Sequence, residues 1–97
     1  ELRWLFHVPN GGSRNKIEGA RLKAAVVKPG VPDIFLPVLR KPHIGLWVEL
    51  KRPDMKKSKV SDDQNDWLAY LSQQGYDTAV CYGFEMARNR IIQYLEG

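Results

Sequence analysis

The sequence predicts an α/β fold, one mixed sheet flanked by helices, carried by a single domain over residues 1–97. Three observations predict it. Apolar spacing alternates between strand and helix periods along the chain. Turn and cap residues separate those segments, and the apolar and charged fractions, 43% and 27%, are those of an ordinary globular protein. The length suits one compact domain and is too short for two.

Residues 2–8 are rich in aromatic and β-forming types and read as a strand, stopped by Pro9-Asn10-Gly11-Gly12. Ile17, Ala20 and Ala24 fall at helical spacing and predict a short helix over 16–26. Pro29-Gly30-Val31-Pro32 enforces an extended approach to the next element. Residues 33–38 and 46–50 read as two strands joined through Pro42 and Gly45, a plausible hairpin connection. A polar loop over 53–60 precedes a helix from Ser61 to Gln74, with Gln64, Trp67, Leu68 and Leu71 on one face and Gly75 as its stop. A short strand over 78–82 and an amphipathic helix over 84–95, with Ala87, Ile91, Tyr94 and Leu95 inward, complete the order. Helices on the faces of one mixed sheet are the layering this order implies.

Cys81 is the only cysteine, so no internal disulfide forms, and with no signal peptide in view a reducing compartment is expected. The apolar runs are too short to span a membrane. The net charge of +4 is unevenly spread: residues 1–60 hold thirteen Lys/Arg against five Asp/Glu, and residues 61–97 hold two against six. A positive field over most of the chain suits a polyanion such as nucleic acid, although a solvated basic surface has the same composition.

The residues that point to chemistry are Asp33 and, on the following strand, Glu49, Leu50 and Lys51. Residues two apart in a strand share a face, so Glu49 and Lys51 project together. If the two strands pair as a hairpin, Asp33 joins them at the same end of the sheet. Two carboxylates supply hard oxygen ligands for Mg²⁺ or Mn²⁺, and the Leu50 carbonyl can add another. Lys51 can orient an attacking water or neutralise a phosphoryl transition state. A Glu-x-Lys tripeptide alone is common and usually a solvated pair; its place in an apolar strand is what raises its weight.

Pro32-Asp33 followed by Glu49-Leu50-Lys51 resembles the signature of the PD-(D/E)xK nuclease superfamily. The fuller series narrows the resemblance: His7-Val8-Pro9-Asn10-Gly11-Gly12, Gly30-Val31-Pro32-Asp33-Ile34, Val48-Glu49-Leu50-Lys51-Arg52, Gln64 and Gly75-Tyr76 look like the VRR-NUC branch. That branch includes small stand-alone phage and bacterial proteins and the nuclease domain of the eukaryotic Fanconi-associated nuclease. The resemblance covers almost the whole chain. It implies a restriction-endonuclease-like core, Mg²⁺- or Mn²⁺-dependent cleavage of structured DNA, and, as in the small members, a homodimer acting on four-way junctions. It also implies the cytoplasm of a bacterium or a phage-infected host. Asp33, Glu49 and Lys51 take the roles already argued, with Asp33, Glu49 and Leu50 as metal ligands.

Gln64 matches a family glutamine on the next helix. Two readings of it stand side by side: a capping-box partner of Ser61, and a site residue directed at the sheet with Leu68 and Leu71. Family members carry a further glutamate on a helix before the first strand; this chain starts on that strand, so either such a helix lies ahead of Glu1 or part of the metal site is lacking. His7 and Asn10 match the family's strand-and-turn segment. With Arg14, Arg52, Lys56, Lys57 and Lys59 they are the candidate nucleic-acid contacts, Arg52 and the 56–59 lysines favoured because they follow the catalytic strand. Trp47 and Trp67 read as core rather than stacking platforms, and Cys81 is assigned no chemistry. The competing class is a non-catalytic DNA-binding module with an incomplete metal site; a superfamily nuclease acting on DNA ends or flaps is the third possibility.

Overall fold

A computed structural model describes residues 1–9, 28–54 and 59–97. The helix expected over 16–26 lies outside the described residues, as do Asn10, Arg14, Lys56 and Lys57. Among the described residues four strands form one sheet in the order β1-β2-β3-β4: β1 Phe6–His7, β2 Ile34–Leu36, β3 Leu46–Lys51 and β4 Asp77–Tyr82. The β1–β2 and β2–β3 pairs are antiparallel and β3–β4 is parallel, so the sheet is mixed. Helix α1, Asp62–Gln73, connects β3 to β4, and α2, Phe84–Glu96, follows β4.

The strand expected over 2–8 is shorter than its composition suggests. Leu2–Trp4 is a turn of 3-10 helix, closed by Leu5 N–H donating to Leu2 O at 3.0 Å. The reason lies in the partner strand. Phe6 and His7 pair with Phe35 and Ile34, and the next residue beyond Leu36 is Pro37, which has no N–H to extend the ladder. Between β2 and β3 the chain turns at Arg40–His43, whose backbones exchange hydrogen bonds of 2.9 and 2.8 Å around a cis Lys41–Pro42 bond.

The two faces of the sheet differ in chemistry because side chains alternate along each strand. Leu36, Leu46, Val48 and Cys81 project to one face and meet Ala87, Ile91 and Tyr94 of α2, with Val38, in the main apolar core. Tyr94 adds a buried hydrogen bond of 2.6 Å to the Val38 carbonyl. The other face carries Phe35 stacked on Trp47 at 4.2 Å, flanked edge-on by Phe6 and Tyr76. Trp47 is thus packed, as the apolar pattern suggests, and Trp67 is half-buried against the Tyr70 ring. Glu49 and Lys51 continue this second face, where α1 lies.

Helix α1 begins and ends where its residues dictate. Ser61 Oγ accepts from Gln64 N–H and the Gln64 side chain accepts from Ser61 N–H, a complete capping box. At the other end Tyr76 N–H reaches Leu71 O and Gly75 N–H reaches Ser72 O, both at 3.1 Å, around Gly75 at φ +106°. This is the Schellman closure that glycine permits.

Candidate active site

Three segments bring the sequence-predicted residues together. The β2–β3 register pairs Ile34 with Val48, which sets Asp33 beside the Glu49 end of β3, as the hairpin expectation required. The Asp33 carboxylate accepts a 2.8 Å hydrogen bond from Leu50 N–H, and its carbonyl accepts from Val8 N–H at 2.6 Å. Pro32 ahead of it is fully buried. Amide and carbonyl of one strand residue point the same way, so the Leu50 carbonyl also turns toward the Asp33 side of β3. The neighbouring Lys51 carbonyl turns the opposite way and accepts from Gly83 N–H.

Glu49 is the one buried charged side chain among the described residues, 3% exposed. Its Oε2 accepts from Gln64 Nε2 at 2.8 Å and lies 3.8 Å from Lys51 Nζ. Lys51 Nζ in turn donates to Gln64 Oε1 at 2.8 Å. Gln64 therefore satisfies both readings of it at once: the carbonyl oxygen that closes the capping box also receives the ammonium, and the amide nitrogen spans to the carboxylate.

Burial foremost, then the Asp33 charge and a hydrogen bond that the protonated Glu49 shares with Asp33, push the Glu49 carboxyl up to about 7 against the opposing pull of Lys51. When Glu49 is ionised, its buried Oε1 receives no hydrogen bond from a donor among the described residues. Burying an unsatisfied carboxylate oxygen is costly unless a proton or a cation neutralises it. An orphaned oxygen on one carboxylate beside a second carboxylate is the donor set a hard divalent cation takes. Asp33 and Glu49, with the Leu50 carbonyl, fit Mg²⁺ or Mn²⁺ on that ground. No group of three or more His, Cys, Asp or Glu side chains suited to a metal occurs among the described residues.

The remaining candidates are spread more widely. Arg52 and Lys59 are exposed and flank the end of β3 and the start of α1. His7 pairs with Ile34 across the β1–β2 ladder, so it projects to the face of Ile34, opposite that of Asp33, Glu49 and Lys51. The geometry adds a packing role for Gly30, which the sequence places only in the extended approach to Asp33 and in the family series. Gly30 lies at φ +91°, and a Cβ there would stand 2.6 Å from the Asp63 carbonyl carbon in the first turn of α1. Only a residue without a side chain lets the segment leading to Asp33 lie against the helix that carries Gln64. The Pro-Gly-Val-Pro string signals an extended, rigid approach but not what it packs on.

No helix among the described residues is long and apolar enough to cross a membrane. Comparison with curated proteins gives no match. A solved structure described as a VRR_NUC domain protein superposes with a TM-score of 0.78 at 25% identity, covering 98% of this chain and 70% of that one. Its α/β architecture is the one described above. The VRR-NUC domain profile matches residues 7–85, which takes in His7 of β1, all of β2 to β4, Asp33, Glu49, Lys51 and Gln64. The chain therefore belongs to the VRR-NUC domain family, whose members are nuclease-type DNA-processing modules.

Proposed function

We propose that this domain is a Mg²⁺- or Mn²⁺-dependent endonuclease that hydrolyses phosphodiester bonds in branched DNA such as four-way junctions, working as a homodimer. The observation that carries the metal-dependent hydrolysis is the orphaned, buried Glu49 Oε1 beside Asp33. The preference for branched DNA and the homodimer rest on the family resemblance.

Asp33, Glu49 and the Leu50 carbonyl would hold the cation. When bound, a divalent cation lowers the pKa of a coordinated water and offsets charge on the phosphoryl oxygens. The chain's own residues supply the rest. Lys51 Nζ, held by Gln64 Oε1 and Glu49 Oε2, presents an ammonium that orients water or neutralises the pentacoordinate phosphorus. Gln64 fixes the Glu49 carboxylate through Oε2, which leaves Oε1 for the cation. Arg52 and Lys59, and in the segments outside the described residues Asn10, Arg14, Lys56 and Lys57, are candidate phosphate contacts, and they position DNA without reading its sequence. His7 is retained as such a contact only from the opposite sheet face.

The test is incubation of purified protein with synthetic four-way junction, flap and linear DNA. Cleavage is expected with Mg²⁺ or Mn²⁺, none in EDTA, and a loss of at least about a hundredfold in Lys51→Ala, the scale at which removing one transition-state charge partner acts. Cleavage that persists in EDTA would overturn the metal-centred reading. A second reading, a non-catalytic DNA-binding module, is favoured by the absence of a third acidic or His ligand among the described residues. Salt-dependent junction binding without cleavage at any metal concentration supports it.

A further inference from the structure

We infer that the backbone amide of Ser61 is a positioning group for the active site: the capping box that starts α1 also locks the Gln64 amide in the orientation that bridges Glu49 and Lys51. The inference deepens the proposed nuclease reading and rests on it for its kinetic arm alone. Gln64 Oε1 accepts two donors, Ser61 N–H and Lys51 Nζ, each at 2.8 Å. Two donors converging on one oxygen define it as the carbonyl and leave the NH₂ end for Glu49 Oε2, also at 2.8 Å. The reverse orientation would aim NH₂ at an ammonium and an N–H, and would aim an oxygen at a carboxylate.

An ordinary capping box spends the N3 side chain on the helix terminus alone. Here that side chain is half-buried and reaches two charged groups on β3. Lys51 holds the amide from the sheet side and Ser61 N–H holds it from the helix side. Without the Ser61 donor, Gln64 loses its tie to its own helix, and the amide follows whichever rotamer Lys51 and Glu49 allow. Ser61 touches neither substrate nor metal in this scheme; it acts through Gln64.

The backbone at Ser61 has φ −74°, a value proline shares, so Ser61→Pro deletes the N–H donor with little demand on the local backbone. Ser61→Ala deletes Oγ and keeps the donor, and Ser61→Thr keeps both. The first readout is the Gln64 side-chain NH₂ resonance pair in ¹⁵N-labelled protein without metal or DNA. It is expected at the same split, downfield position in the parent, Ser61→Thr and Ser61→Ala proteins, and to move to the averaged position of a free glutamine in Ser61→Pro. The second readout is cleavage under saturating Mn²⁺: Ser61→Pro should fall about tenfold in kcat below Ser61→Ala, with KM for DNA unchanged, as a small displacement of a positioning group predicts. If Ser61→Pro does not melt cooperatively, replacing the amide at position 61 with an ester by semisynthesis removes the same N–H. A Gln64 resonance pair in Ser61→Pro, or in the ester, that stays where Ser61→Ala has it overturns the inference. If the parent protein does not cleave DNA, the resonance readout still decides the positioning role.

Discussion

Glu49 combines three features that rarely occur together: it is 3% exposed, it faces a second carboxylate, and one of its oxygens has no donor among the described residues. In the unfolded chain its carboxyl titrates near 4.5, and burial in the fold pushes it up to about 7. The folded protein thus binds a proton more tightly than the unfolded chain. That contribution is fully present below pH 4.5 and is lost as pH rises through about 7. The size of the loss is about 3 kcal/mol, from the free energy of a unit shift in pKa. Metal-free denaturant melts in EDTA should therefore show stability falling between those two pH values. Glu49→Gln, which cannot ionise, should flatten the slope and be the more stable form at pH 8. Saturating Mn²⁺ should restore the parent protein at pH 8 and leave Glu49→Gln unmoved. A parent slope that survives in Glu49→Gln would assign the titration to another group.

At the scale of elements, the first turn of α1 ties the two halves of the site together. Gln64 reaches β3 from it, and Gly30 lies against Asp63 of the same turn. Two glycines separate backbone strain from contact. Gly75 and Gly30 have similar positive φ, +106° and +91°. Among the described residues a Cβ at Gly75 would meet only the Ile44 side chain, Cδ1 at 3.8 Å and Cγ1 at 3.9 Å, ordinary contacts, whereas at Gly30 it would stand 2.6 Å from backbone. Gly75→Ala should cost about 1 kcal/mol in a melt, the strain of one left-handed residue. Gly30→Ala should cost at least about 2 kcal/mol more, the scale of overpacking. It should also weaken Mn²⁺ binding, because relief requires α1 and the Asp33 segment to part. Equal costs for the two would show that the Asp63 contact yields freely.

Much of this element frame is legible in the sequence. Glu49 and Lys51 share a face by strand alternation alone, and Ser61-Asp62-Asp63-Gln64 announces both the helix start and the direction of Gln64. What is not legible depends on partners distant in sequence. The 3-10 turn over Leu2–Trp4 follows from Pro37 ending the neighbouring strand, and the face of His7 follows from the β1–β2 register. The Gly30 contact is between residues whose adjacency only the fold creates. The burial of Glu49, which the apolar strand around it suggests, becomes informative only with its orphaned oxygen.

At the scale of the whole molecule the sheet divides stability from chemistry. The α2 face buries Leu36, Leu46 and Val48 completely, and the α1 face holds Glu49, which opposes folding when ionised. Charge is divided along the chain as well, with an excess of eight positive charges in residues 1–60 and of four negative in residues 61–97. The described cations nearest the site in the chain, Arg52 and Lys59, bracket the loop between β3 and α1. Helix α2, which carries Arg88 and Arg90, packs on the sheet face of Leu36, Leu46 and Val48, opposite that of Glu49 and Lys51. Junction binding measured with Ca²⁺ in place of Mg²⁺ should therefore weaken log-linearly with salt. Each phosphate contact contributes about 0.9 to the slope on duplex DNA. Arg52→Ala and Lys59→Ala should each reduce that slope by about 1 and weaken binding equally for every junction sequence. Arg88→Ala, an exposed cation on α2, should leave it unchanged. If all three substitutions shift the slope alike, the field acts as a diffuse whole and no phosphate track runs beside β3.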